Sequence, residues 1–129
     1  MGYALSTTVN GPFDETLAAT REALAAQGFG VLTEIDMAGT LKKKLGVDIP
    51  PHVILGACNP PSAYRAVQAE PSIGVLLPCN VVVRSAGEGS TIVEAIDPAT
   101  MHELTGNAAM KDVAVTIGGM LQAVLDSLG

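Results

Sequence analysis

Residues 52–83, HVILGACNPPSAYRAVQAEPSIGVLLPCNVVV, constrain the fold more than any other stretch. They hold both cysteines and four of the eight prolines. His52 to Gly56 reads as a buried strand, because Val53-Ile54-Leu55 is a continuous apolar run too short for a helix. Asn59-Pro60 reads as a helix start: the Asn side chain accepts a first-turn amide, and proline suits the first helical position. Tyr64 and Val67 are expected on the inner face of that helix, which Pro71 stops. A second apolar run, Ile73 to Val83, follows, interrupted at Pro78-Cys79-Asn80. Two similar cysteine corners, Cys58-Asn59-Pro60 and Pro78-Cys79-Asn80, therefore belong to one unit.

The flanking segments fit around it. Tyr3 to Val9 alternates like a half-buried strand. Asp14 and Glu15 open a helix that Gln27-Gly28 ends, glycine taking the left-handed cap position. Phe29 to Ile35 is a second strand. Asp36 then caps a helix with the stripe Met37, Leu41 and Leu45, stopped by Gly46. Ser85 to Ser90 is a glycine-rich hairpin loop leading to a strand over Thr91 to Ile96. Asp97-Pro98 opens a short helical turn that Gly106 closes. Asn107 is expected to start the longest helix, whose apolar residues from Met110 to Leu128 keep the i, i+3, i+4, i+7 spacing of a buried stripe. Gly118-Gly119 in its middle costs roughly 1 kcal/mol per glycine against alanine, which close approach of another backbone would offset.

The expected architecture is α+β: a two-layer sandwich with a mixed sheet of about five strands, helices mainly on one face and a long C-terminal helix. At 129 residues one domain spanning 1–129 is expected. An apolar fraction of 48% with 16% charged residues excludes a disordered chain. With two Phe, two Tyr and no Trp, the core must be aliphatic. Seven basic residues against thirteen acidic ones leave a charge of −6, which argues against nucleic acid as a partner. Lys42-Lys43-Lys44 reads as a solvated helix end. No stretch approaches the ~18 uninterrupted apolar residues of a membrane span, so no membrane partner and a cytoplasmic location are expected.

The candidate chemistry is narrow. Cys58 stands just before a helix N-terminus, where free amides and the dipole can lower a thiol's pKa. If the strands starting at Val53 and Ile73 ran parallel, Cys58 and Cys79 would come to nearly the same height. The thiols are candidates for redox, sulfur-transfer or soft-metal chemistry; the bland reading makes both small buried apolar residues. Asn59 and Asn80 are candidate ligand contacts as well as cap and turn residues. His52, His102, Cys58 and Cys79 lack zinc-ligand spacing, so no metal site and no cofactor are expected. Glu34, Asp36 and Glu94 are the carboxylates available for an acid/base pair.

The stretches GACNP (56–60) and LPCNVVV (77–83) resemble the family called domain of unknown function 302. So do Phe13-Asp14-Glu15, Gln27-Gly28-Phe29-Gly30-Val31 and Ile35-Asp36. That resemblance implies a small cytoplasmic α+β domain, a homodimer, and no assigned activity or catalytic residues. Two functions are expected on this footing. The first is a homodimeric domain that binds a small ligand or a protein partner without catalysis. The alternative is a thiol-dependent redox or sulfur-transfer protein, with Cys58 reactive and Cys79 resolving.

Overall fold

In a computed structural model, described over residues 2–129, five strands form one sheet. Chain order is β1 (Ala4–Asn10), α1 (Phe13–Ala26), β2 (Gly30–Asp36), α2 (Met37–Leu45), β3 (His52–Cys58) and α3 (Pro60–Ala69). A 3-10 helix (Pro71–Leu76), β4 (Cys79–Ser85), β5 (Ser90–Ile96), α4 (Ala99–Thr105) and α5 (Met110–Leu128) follow. The strands stand in the order β1-β5-β4-β3-β2. The fold class is α+β, as expected.

The sheet, however, is antiparallel at every pairing rather than mixed. The reason lies in residues 60–78. The apolar run from Ile73 does not continue as a strand; Pro71–Leu76 coils into the 3-10 helix, and β4 begins only at Cys79. At about 1.5 Å per residue α3 carries the chain some 15 Å, and six 3-10 residues at about 2 Å carry it some 12 Å. The two segments pack against each other. Comparable travel out and back returns the chain to the end of the sheet it left. β4 therefore runs against β3, with Ala57 opposite Cys79 and Val53 opposite Val83.

Alternation then sorts the side chains. Val53, Leu55 and Ala57 of β3, Cys79, Val81 and Val83 of β4, and Thr91, Val93 and Ala95 of β5 are buried on one face. On that face α5 lays down its stripe of Met110, Val113, Ile117, Leu121, Val124 and Leu125, all buried. At about 1.5–3 kcal/mol per fully buried Leu, Val or Met, each of these residues adds substantially to the one core that sheet and helices share. α1 adds Leu24, Thr16 and Thr20, the two threonine hydroxyls donating to carbonyls four residues back. α2 packs beside β2 and β3 and buries no residue.

Local signals work where the chemistry is local. Gly39 N–H donates to Asp36 Oδ1 at 2.9 Å, capping α2, and Gly46 ends it at φ +70°. Other expectations are corrected. Tyr64 and Val67 are exposed, at 66% and 46%; the inner face of α3 is Ser62 and Ala66. The side of α3 toward α5 is thus set by small residues, which bring the helix close. Asn107 does not start α5. Its side-chain Nδ2 donates to Ala69 O at 2.8 Å and Glu70 Oε1 at 3.0 Å, fastening the end of α3. Nor does a backbone crowd Gly118-Gly119: a Cβ on Gly118 would meet only the Pro98 ring at 3.8 Å, and one on Gly119 nothing within 4 Å.

Candidate functional site

An open cavity of about 300 Å³ lies where β3 ends and β4 begins, under α3 and against α4 and α5. Its floor is Ala57 and Cys79 from the sheet, with Met101, Val113 and Ile117 from the helices. Ser62, Ala63 and Ala66 of α3 form one wall, and Leu77-Pro78 another. Cys58, Asn59 and Leu32 complete it. Among the described residues no charged side chain takes part.

Each element contributes for a local reason. β2 pairs Val31 with Ala57 and Thr33 with Gly56, so Leu32 is an extra residue in a bulge. Bulges re-aim side chains, and this one leaves Leu32 65% exposed at the cavity edge. α3 offers space because its inner residues are Ser and Ala. Asn59 is held at both ends of its amide. Oδ1 accepts from Ser62 N–H at 3.2 Å, and Nδ2 donates to Gly28 O at 3.0 Å, tying the turn after α1 to the start of α3.

The antiparallel pairing brings Cys58 and Cys79 together, both lining the cavity, although they get there by a different route from parallel strands. Both are free thiols. The N-terminus of α3 nevertheless offers a thiolate no donors. Pro60 and Pro61 have no N–H, Ser62 N–H is held by Asn59, and Ala63 N–H donates to Asn59 O at 2.9 Å. The prolines that announce the helix are the residues that strip it of anion-binding amides.

Cys79 is 4% exposed, and burial, together with neighbouring Cys58, pushes its thiol from 9.0 up to about 11. Cys79 is therefore a neutral thiol at physiological pH. Its raised pKa gives stability that is complete below pH 9, where the unfolded thiol is also neutral. That stability is lost as pH rises from 9 through 11, by up to about 2–3 kcal/mol. Cys79→Ala should accordingly flatten the fall in unfolding free energy between pH 9 and 11, read by urea titration. An equally steep fall in the variant would assign it to other groups. In native protein at pH 8, iodoacetamide should label half-buried Cys58 and leave Cys79 unmodified.

The remaining candidates lie elsewhere. Asn80 is exposed on the opposite face of the sheet, beside Tyr3, Val82 and Ile96, so it does not join Asn59. His52 pairs with Arg84 at the far end of β3 from Cys58, and His102 borders a groove between α4 and α5. Among the described residues no three His, Cys, Asp or Glu side chains converge to hold a metal. The carboxylates are also apart: Asp36 caps α2, Glu34 pairs with Arg21 of α1, and Glu94 pairs with Arg84 at 2.8 Å. Sequence reasoning found the cysteines and Asn59 but missed Leu32, Ser62, Ala63 and Met101. Small residues four apart in α3 were the available sign for Ser62 and Ala66; nothing local marks the bulge at Leu32.

Among the described residues no helix is long and apolar enough to cross a membrane. No curated protein matches the sequence. A crystal structure of an uncharacterized conserved protein, DUF302, from Bacillus stearothermophilus is similar over 100% of both chains, with 31% identity and a TM-score of 0.91. The sequence model of "Domain of unknown function DUF302" matches residues 5–128, so this chain belongs to that family.

Proposed function

We propose that the chain is a small, non-catalytic, cytoplasmic binding domain that takes an apolar ligand into the cavity beside Cys58 and Cys79. One observation carries this: a 300 Å³ opening lined by Leu, Ala, Met, Val and Ile side chains reaches the core, with few polar groups at its edge. Ligand sites have this character, mostly apolar with a few placed polar atoms, and this one is at the small end of their range. Two unpaired cysteines suit a reducing compartment.

The domain further pairs with a second copy through the sheet face that the helix layer leaves uncovered. Redox or sulfur transfer is the weaker reading, because Cys79 stays neutral and α3 gives Cys58 no free amide.

Filling the cavity tests the reading. Ala63 is half-buried on its wall, so Ala63→Phe projects a ring into it without disturbing the buried Ala66. Toluene, titrated into ¹⁵N-labelled protein, should give saturable shifts at Ala57, Ala66 and Ile117 in the parent. Affinity in Ala63→Phe should fall at least tenfold with the spectrum otherwise folded. Unsaturable or scattered shifts in the parent would remove the cavity as a ligand site.

A further inference from the structure

Ser62 is the one buried polar side chain in the cavity wall, 4% exposed, in a lining that is otherwise nearly all carbon and sulfur. Its N–H is used by Asn59, but none of the hydrogen bonds among the described residues engages its hydroxyl. A helical serine usually satisfies its hydroxyl on a carbonyl of the preceding turn, as Thr16 and Thr20 do here. Among the described residues the sealed orphan hydroxyl is Thr100 Oγ1; Ser62 differs in lining an open cavity. Facing the cavity, the hydroxyl meets solvent there, and a ligand hydroxyl or carbonyl placed opposite it would take that water's place.

The same wall excludes charge. Pro60 and Pro61 have no amide to give, and the next two N–H groups are taken. Among the described residues no Lys, Arg or His lines the cavity. A carboxylate or phosphate entering it would lose its water with only the single hydroxyl of Ser62, and no cation, to replace it. At about 30 Å³ for each water-sized group, the volume holds on the order of ten non-hydrogen atoms.

Resting on the reading of this cavity as a ligand site, we infer that its ligand is a small uncharged molecule, hydrocarbon for most of its surface, carrying one hydroxyl or carbonyl that pairs with Ser62. The polar group sits at the α3 wall and the hydrocarbon reaches Met101, Val113 and Ile117. Nucleotides, sugar phosphates and carboxylic acids are outside this class.

Three probes of one shape separate the possibilities: toluene, benzyl alcohol and benzoate, titrated by NMR into the parent and Ser62→Ala. Alanine suits a helix better than serine and removes an unpaired hydroxyl, so the variant should fold; retained toluene binding verifies its cavity. Ser62→Ala should weaken benzyl alcohol about five- to tenfold and leave toluene unchanged or tighter, with benzoate failing to saturate in either protein. Equal changes for alcohol and toluene, or none, would overturn the role of Ser62 while leaving the cavity a ligand site. Benzoate binding tightest would overturn the uncharged class. If no probe saturates, the ligand site itself falls, and this inference with it.

Discussion

Gly56→Ala should lower the thermal midpoint by roughly 5–15 °C, one of the largest effects a single methyl group can have in this chain. Gly56 stands in the middle strand of three, opposite Asn80 on β4 and Thr33 on β2. A Cβ built there would run into the Thr33 hydroxyl and lie 2.8 Å from the Pro78 ring. The proline ring cannot rotate away, and Thr33 is β-branched and fixed beside the bulge. Overpacking of this kind costs about 1–3 kcal/mol. Thr33→Ala in the same chain removes the nearer obstacle and leaves Pro78, so the double variant should recover part of the loss. Gly30→Ala is the control: its Cβ would meet Cys58 O at 3.9 Å, an ordinary contact. Differential scanning calorimetry on the four proteins decides it. Equal midpoints for Gly56→Ala and Gly30→Ala would mean that crowding at Gly56 carries no weight.

That glycine also shows where sequence reading stops. GACNP was recognisable as a corner, and the cap by Asn59 followed from residue type alone, because capping involves atoms three residues apart. The need for Gly at 56 arises from Thr33 and Pro78, more than twenty residues away on either side, and no local pattern encodes it. The strand directions failed for a related reason. Ile73 to Val83 has strand-like composition throughout, and periodicity cannot distinguish a strand from a 3-10 turn over six residues. Where β4 begins decides whether the crossover is parallel or returns. Tyr64 and Val67 lie outside although they are apolar, because hydrophobicity alone does not mark the inner face of α3. The close approach of α5 selects for size there, and Ser62 and Ala66 are inside because they are small. The cavity is a product of the same choice.

On the proposed pairing through the open sheet face, Val82→Lys should convert a dimer into a folded monomer. The sheet face away from the helices carries Ile54, Val82, Ile92 and Ile96, none of them buried, around the Arg84–Glu94 pair. Val82 is at its middle, opposite Ile54 on one side and Glu94 on the other. A two-fold axis through this patch would set apolar residues against their own copies and could place Arg84 of one protomer beside the partner's carboxylate at position 94. Lysine is the informative substitution because its position is cross-strand to Glu94 in a chain of net charge −6, so the isolated protomer tolerates it. In a dimer two ammonium groups would be forced into an apolar contact, weakening association a hundredfold or more. Sedimentation equilibrium should give the parent twice 13.1 kDa and Val82→Lys 13.1 kDa, with the thermal midpoint concentration-dependent only in the parent. A parent that sediments at 13.1 kDa at high micromolar concentration would end the dimer reading. A variant that still sediments at twice that mass would move the interface to another face, with α2, whose Leu45 is 69% exposed, the next to substitute.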